Sequence, residues 1–260
     1  MNTIHGLILG LVEGLTEFLP ISSTAHLILA QQWLRLPSSE FLKTFSISIQ
    51  LGAIIAVVIM YWRRVLNNRE IIGKVMAAFV PTAIIGLALY GFIKRYLLDS
   101  PLIIAWALII GGVLIILLEK YYAKRQIKTE ENNNLANISY SQAILIGFFQ
   151  TLAIIPGVSR SGATIMGGLG LGIRRQDIVE FSFLLAIPTM AAATGLDLIK
   201  TNLNFSPSEI AIWVTGFITA FITAILGIKF FLRFIQKNDF TIFGWYRIGL
   251  GLIVLIWLFI

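Results

Sequence analysis

Six long apolar runs constrain the fold of this chain more than any other feature of its sequence. Each run is long enough, or nearly so, to cross the hydrocarbon core of a bilayer as an α-helix of about 20 residues. The sequence therefore predicts an all-α polytopic membrane protein. The runs lie at about residues 45–62, 75–93, 101–118, 178–198, 210–228 and 244–260.

Composition agrees with this class. Of the 260 residues, 57% are hydrophobic and 13% charged, against about 25% charged in a soluble domain. We expect one integral membrane domain over residues 1–260, whose N-terminus lacks the features of a cleaved signal peptide. The chain has no cysteine, which excludes disulfides, thiolate nucleophiles and Cys-ligated metals. Its net charge of +7 is not clustered on a soluble face, so nucleic acid is not an expected partner.

Two further apolar stretches are interrupted near their middles. Residues 3–30 contain "LPISST", and residues 141–172 contain "IPGVSRSG". Proline and glycine break a helix, and the freed backbone groups are tolerated at membrane depth only inside protein or beside a polar cavity. We therefore predict two re-entrant helical hairpins, whose broken tips meet near the membrane midplane.

The two halves of the chain indicate an internal duplication. A shift of 136 residues superposes the two breaks, with Pro20 on Pro156 and Ser23 on Ser159. A strongly polar linker at about 119–139 separates the halves. Each half holds one hairpin and three spans, and because three is odd, the repeat is predicted to be inverted. The predicted bounds are about 1–122 for repeat one and about 140–260 for repeat two.

Basic residues are distributed unevenly between the two sides of this topology. Fourteen of them, Arg247 included, fall on one side and five on the other, while Arg160 stays within the membrane. The side with fourteen is expected to be cytoplasmic, which puts both termini outside. Hairpin one then enters the membrane from the outside, and hairpin two enters from the cytoplasm.

Two acids lie in the first hairpin, in the stretch "EGLTE". Glu13 and Glu17 are four residues apart, so on a helix they share one face. A charge at this depth is costly without a partner, and two neighbouring carboxylates suit a hard divalent cation such as Mg²⁺ or Ca²⁺. The alternatives are a proton or sodium site of a transporter, or two acids that cap nearby backbone groups.

The stretch "SSTAH" after Pro20 indicates the start of a short helix, with Ser22 or Ser23 near its N-cap. A helix N-terminus offers free N–H groups and a positive dipole end to an anion. His26 is within one turn of both serines, so a histidine-activated serine is one interpretation. The other is that the serines bond carbonyl groups one turn back and that the histidine is satisfied structurally.

The break of the second hairpin combines glycines with a cation. Arg160 offers a planar fork of donors that matches phosphate oxygens, although it is alternatively a structural counter-ion to Glu13 and Glu17. Two acids and one arginine leave about one negative charge, which a divalent cation would reverse and a phosphate would then balance. The other candidate phosphate-binding residues of this break are Ser159, Ser161 and Thr164.

Other polar and small residues have two interpretations. Gln50 and Gln150 either line the cavity or form interhelical hydrogen bonds. Four glycines are interpreted as sites of close helix packing, namely Gly10, Gly14, Gly111 and Gly112.

Acids for a metal, helix starts and an arginine for phosphate, and a hydroxyl near a histidine together indicate metal-assisted phosphoryl transfer. A secondary transporter or lipid flippase would share the inverted repeat and the midplane charges, but it needs no nucleophile. A channel or passive scaffold would leave the cluster unexplained.

Three stretches resemble the undecaprenyl-diphosphate phosphatase family, also called bacitracin-resistance proteins, and the likeness runs over essentially the whole chain. They are "VEGLTEFLPISSTAH", "FSISIQLGAIIAVV" and "PGVSRSGATI". The resemblance implies a bacterial plasma-membrane enzyme that removes the terminal phosphate of undecaprenyl diphosphate and so regenerates the lipid carrier for peptidoglycan. It also implies bacitracin resistance, because that antibiotic sequesters the same diphosphate.

The resemblance also implies roles for the site residues and an inverted-repeat fold with an outward-facing site. We expect Ser23 or a water to attack the terminal phosphorus with His26 as proton carrier, while the apolar flanks accept the isoprenoid tail. The oligomeric state is open, with a homodimer as one alternative. By motif position the acidic pair is Glu13 and Glu17, the serine and histidine positions are Ser22, Ser23 and His26, and the phosphate-binding loop holds Ser159, Arg160, Ser161 and Thr164.

Overall fold

The protein is built from helices. The computed structural model describes residues 1–66, 68–96, 100–124, 135–200 and 206–259, and all regular secondary structure in these ranges is helical. Single 3-10 turns precede and follow α6, at Leu135–Asn137 and Leu152–Ile154. The α-helices are α1 (Thr3–Thr16), α2 (Ser23–Trp33), α3 (Glu40–Leu66), α4 (Arg69–Tyr96), α5 (Pro101–Lys124), α6 (Tyr140–Thr151), α7 (Arg160–Gly170), α8 (Arg175–Lys200), α9 (Pro207–Ile235) and α10 (Thr241–Phe259).

Six of these helices are long and apolar enough to cross a membrane, namely α3, α4, α5, α8, α9 and α10. The six predicted spans are therefore confirmed. Most of the helices extend beyond the predicted runs, because their end turns carry charged residues such as Glu40 and Arg63, which suit the membrane interface. Helix α5 continues through Lys124 into the predicted polar linker. Residues 125–134 of this linker, which include Arg125 and Lys128, lie outside the described residues.

The remaining four helices are too short to span a bilayer. They have 14, 11, 12 and 11 residues, and at about 1.5 Å per residue they cover about 16–21 Å of the roughly 30 Å hydrocarbon core. Helix α1 packs against α2, and α6 packs against α7. Each interrupted apolar stretch is thus a pair of short helices in contact, as the helix breakers predicted.

Helices from the two halves of the chain pack against each other. Helix α1 lies against α9 and α6 against α4, while α3 contacts α8 and α5 contacts α10. Glycines allow the closest of these approaches: a Cβ added to Gly10 would lie 2.3 Å from the carbonyl oxygen of Gly216, and one added to Gly112 would lie 2.6 Å from that of Gly244. The interpretation of Gly10 and Gly112 as packing positions is confirmed.

Ion pairs fix the N-terminal end of α8. Arg175 pairs with Glu119 at the end of α5, and Arg64 of α3 pairs with Glu180. Glu119 also accepts a hydrogen bond of 3.0 Å from the backbone N–H of Phe240, next to the start of α10. These contacts link α3 and α5 to α8, and both α5 and α8 contact α7, whose first residues belong to the site described next.

Candidate active site

Two serines terminate the breaks in the same way. Ser22 and Ser159 have φ values of 71° and 75°, and each hydroxyl accepts a hydrogen bond from the backbone N–H three residues on, at 3.4 and 3.1 Å. They are the N-caps of α2 and α7, which begin at Ser23 and Arg160. By role, Ser159 therefore corresponds to Ser22, and not to Ser23 as the 136-residue shift implied, because the second break has one more residue between proline and cap.

Glu17 joins the two breaks. Its buried carboxylate accepts a hydrogen bond of 2.5 Å from the Ser23 hydroxyl through Oε2 and one of 3.1 Å from Arg160 Nη2 through Oε1. Arg160 Nη1 also donates to the carbonyl oxygen of Ser182 at 2.7 Å, and the guanidinium lies 5.6 Å from the ring centre of Phe18. An acid and a hydroxyl from the first half of the sequence thus meet a cation from the second half, and the ion pair considered as an alternative for Arg160 is present.

Glu13 lies one helical turn before Glu17 and is fully buried. Neither of its carboxylate oxygens has a hydrogen-bond partner among the described residues, and the same is true of Arg160 Nε. Unshared carboxylate oxygens are the ligands that Mg²⁺ and Ca²⁺ prefer, so Glu13 fits the predicted cation, whereas Glu17 already has two partners. The described residues contain no group of three or more His, Asp or Glu that could hold a metal ion without other ligands.

The hydrogen bonds of the His26 ring go to residues other than Ser23. Its Nδ1 donates to the carbonyl oxygen of Ser22 at 2.7 Å, and its Nε2 lies 2.7 Å from the hydroxyl of Tyr246. The two rings are stacked, with centroids 5.6 Å apart and an interplanar angle of 3°. Because a carbonyl can only accept, Nδ1 carries the proton, and in the neutral form of the imidazole Nε2 accepts a hydrogen bond from the Tyr246 hydroxyl. The described contacts therefore pair His26 with Tyr246 and Ser23 with Glu17.

The remaining hydroxyls of the second break stabilise its backbone. Ser161 donates to the carbonyl oxygen of Leu19 at 2.7 Å and lies 3.0 Å from the hydroxyl of Ser159. Thr164 donates to the carbonyl oxygen of Arg160 at 2.9 Å. Ser161 thus ties one break to the other, and Thr164 supports the first turn of α7.

The two glutamines are not part of this cluster. Gln150 donates to the hydroxyls of Thr82 and Thr189 at 2.8 and 3.1 Å, which is the interhelical bonding considered for it. Gln50 is half-buried on α3, and within the described part of the chain it makes no hydrogen bond to a residue of the site. Its predicted role in substrate binding has no contact to support it.

Sequence reasoning placed Arg247 among the cytoplasmic basic residues, and this placement is wrong. Only 1% of Arg247 is exposed, and its guanidinium donates to the carbonyl oxygens of Pro20 at 3.1 Å and of Gly157 at 2.9 Å. Because α10 begins at Thr241, Arg247 lies in the second turn and not at the helix end. Thirteen basic residues remain on the predicted cytoplasmic side against five, and the site region gains a second cation.

The functional residues that the sequence analysis missed, Tyr246 and Arg247, are neighbours on α10. Tyr246 bonds His26, which is 220 positions away, and the partners of Arg247 lie between 89 and 227 positions away, so no local spacing indicates the contacts. The available signal was a cation inside an apolar run, combined with proline and glycine breaks that leave carbonyl groups in need of donors.

Similar proteins cover nearly the whole chain. An undecaprenyl-diphosphatase of Aquifex aeolicus is 47% identical over 253 residues, which cover 97% of each chain. Proteins of the same name from Bdellovibrio bacteriovorus and Campylobacter jejuni are 45% and 49% identical, covering 100% and 97% of this chain and 97% and 93% of theirs. The family model described as bacitracin resistance protein BacA matches residues 6–253. This range includes both helix breaks and the Glu17–Arg160 ion pair, and the chain belongs to the BacA family of bacitracin resistance proteins.

Proposed function

We propose that this membrane phosphatase hydrolyses undecaprenyl diphosphate to undecaprenyl phosphate and inorganic phosphate. The meeting of Ser23, Glu17 and Arg160 where two helices begin carries the proposal. Three relatives that share 45–49% of their residues with the chain are named for this substrate. Since relatives and site chemistry agree, we prefer this function over lipid or ion transport, for which a nucleophile is not needed.

Arg160 and the N-termini of α2 and α7 would bind the phosphate groups. The guanidinium offers paired donors to phosphate oxygens, and the N-termini of α2 and α7 offer free N–H groups and positive dipole ends. Arg160 is paired with Glu17, so a bound diphosphate would compete with this carboxylate for the cation. Binding would thereby release Glu17 to act as a base.

Bond cleavage follows from the Glu17–Ser23 hydrogen bond. Glu17 takes the proton as the Ser23 oxygen, or a water in its position, forms a bond to the terminal phosphorus, and the bond from that phosphorus to the bridging oxygen breaks. With serine attack, a water then hydrolyses the phosphoserine. His26, oriented by Tyr246, is the nearby proton carrier for the departing phosphate groups.

Glu13 and Glu17 are the residues that would hold a divalent cation, Mg²⁺ or Ca²⁺. When bound, the cation would neutralise charge on the diphosphate and stabilise the charge that develops on the leaving group. The unshared oxygens of Glu13 support this assignment. Arg247, which lies against both breaks, adds positive charge to the region, so the charge balance alone does not require the metal.

We further propose that the α1–α2 and α6–α7 pairs are re-entrant hairpins of two inverted halves. Support comes from the repeated order of two short and three long helices and from the packing of α1 on α9 and of α6 on α4. With the thirteen-residue basic side in the cytoplasm, both termini and the site opening face outward from a bacterial plasma membrane. There the enzyme would recycle the lipid carrier of peptidoglycan synthesis and confer bacitracin resistance.

The proposed activity is tested by phosphate release from undecaprenyl diphosphate by the purified full-length protein. Mg²⁺ or Ca²⁺ should support turnover, and a chelator should abolish it. Absence of phosphate release under all metal conditions would contradict the proposed function, whereas full turnover in chelator would contradict the metal assignment alone.

A further inference from the structure

Arg247 uses every donor of its side chain on backbone carbonyl groups. Nη1 donates to Pro20 at 3.1 Å and to Val158 at 2.9 Å, Nη2 donates to Ala107 and Gly157 at 2.9 Å each, and Nε donates to Leu108 at 3.4 Å. An arginine has five N–H groups, so this guanidinium is saturated. It connects three separate segments: the first break, the second break and the middle of α5.

In the part of the chain that the structure describes, no carboxylate pairs with this buried charge. Among the described residues, the ion pairs at up to 4.0 Å do not include Arg247, which is 1% exposed. A buried cation without a counter-ion is costly unless its hydrogen bonds are complete. The five carbonyl groups complete the hydrogen bonds of the guanidinium. The buried position of Arg247 therefore depends on the acceptors that the breaks supply.

Three of the five carbonyl groups that Arg247 binds precede the two N-cap serines, namely those of Pro20, Gly157 and Val158. Pro20 lies two residues before Ser22, and Gly157 lies two residues before Ser159. Both breaks leave backbone acceptors without helical partners, and one guanidinium serves both. The residues that begin the next helices, Ser23 and Arg160, are therefore held relative to each other by a single side chain from α10.

Helix α5 leaves room for this side chain through a glycine. A Cβ added to Gly111 would lie 2.3 Å from Arg247 Nη2 and 2.9 Å from its Cζ, so any larger residue would push the guanidinium away. The sequence analysis interpreted Gly111 as a helix-packing position, but its nearest neighbour is the arginine. In contrast, a Cβ added to Gly249 on α10 would meet no atom within 4 Å.

We propose that Arg247 is a positioning residue for the reaction: it fixes both helix breaks and thereby sets the separation of Ser23 and Arg160. The proposal rests on the proposed phosphatase function, since it assigns the alignment of nucleophile and phosphate ligand. Arg247 does not touch the phosphate itself.

The test combines turnover with a distance measurement. Arg247→Lys keeps the charge but cannot satisfy five carbonyl groups, and Gly111→Ala keeps the guanidinium but displaces it. Because the chain has no cysteine, Trp33→Cys and Gly170→Cys introduce unique spin-label sites at the exposed last residues of α2 and α7. Gly249→Ala is the matched control, with the same substitution at an open position.

Both Arg247→Lys and Gly111→Ala should lower kcat per folded molecule at least tenfold, with a smaller change in KM, and should broaden the distance distribution between the two labels. Gly249→Ala should change neither. Wild-type kcat in folded Arg247→Lys and Gly111→Ala, or an unbroadened distance distribution, would overturn the proposal. If the wild-type protein releases no phosphate, the proposed function fails, yet the distance measurement still reports whether Arg247 holds the breaks.

Discussion

At the scale of single residues, the site depends on shared partners. Glu17 serves both Ser23 and Arg160, and His26 is held between the Ser22 carbonyl and Tyr246. Such shared contacts leave little freedom to the groups that would react, because each side chain has its orientation set from two directions. Substitution of any one of them should therefore affect its partners as well.

The hydroxyl of Tyr246 is predicted to support catalysis through His26. Tyr246→Phe removes the hydrogen bond to Nε2 but keeps the stacked ring, so kcat should fall about fivefold, the equivalent of roughly 1 kcal/mol for one net hydrogen bond. Steady-state phosphate release measures the effect. Trp245→Phe is the control, because the side chain of Trp245, next to Tyr246 in the chain, is 62% exposed. An equal loss of kcat in Trp245→Phe would contradict a role for the Tyr246 hydroxyl.

The sequence predicts part of this network because part of it is local. The four-residue spacing of Glu13 and Glu17 indicates a shared face, and the costs of buried charge indicate that Arg160 and these acids need each other. Tyr246 and Arg247 could not be found in this way, because the nearest of their partners is 89 positions away in the chain. The sequence predicts Arg247 on the cytoplasmic side, because a cation near the start of an apolar run is usually interfacial.

At the scale of secondary structure, the two breaks depend on backbone conformations that most residues avoid. Ser22 and Ser159 both have positive φ values and both cap the next helix. The spans were predictable because about 20 apolar residues suffice to identify them. The second break has one more residue between proline and N-cap than the first. This difference was not predicted, because helix breakers alone do not specify the geometry of the loop.

Substitutions at Ser159 should separate capping from strain. Ser159→Gly loses the cap but suits φ of 75°, and it should cost a few tenths of a kcal/mol. Ser159→Ala loses the cap and keeps the unfavourable φ, so it should cost about 1 kcal/mol more. Thermal unfolding in detergent compares them, and equal or reversed stabilities would contradict the strained-cap geometry.

Close packing of α1 on α9 gives a second prediction at this scale. Gly10→Ala would bring a Cβ within 2.3 Å of the Gly216 carbonyl oxygen, so the two helices must separate, at a cost of about 1–3 kcal/mol. The thermal unfolding midpoint of Gly10→Ala should fall, while that of Gly249→Ala should stay at the wild-type value. A wild-type midpoint for Gly10→Ala would show that the helices are not in backbone contact.

At the scale of the whole molecule, basic residues predict the orientation in the membrane. The loss of Arg247 from the cytoplasmic side leaves a strong bias, because thirteen residues still face five. Both the bias and the odd number of spans in each half were available from sequence. The short helix that begins each half packs on a long helix of the other half, α1 on α9 and α6 on α4. This packing could not be predicted from the sequence, because it depends on contacts between residues far apart in the chain.

Single cysteines test this orientation in a chain that has none of its own. Ser206→Cys, before α9, should react with a membrane-impermeant maleimide on spheroplasts with an intact plasma membrane. Lys237→Cys, after α9, should react only once that membrane is permeabilised. Both positions are exposed, so the opposite pattern would mean that the molecule is inserted the other way round.

The most direct test of the central claim is single-turnover cleavage of undecaprenyl diphosphate by the wild-type protein, Glu17→Gln and Arg160→Lys, with the lipid product identified by mass. The wild type should yield undecaprenyl phosphate and one equivalent of phosphate. Both variants should be slower by roughly a hundredfold or more, because glutamine cannot act as a base and lysine lacks the forked donors of the guanidinium. Wild-type rates in the two folded variants would contradict the assignment of the active site to the Glu17–Arg160 junction.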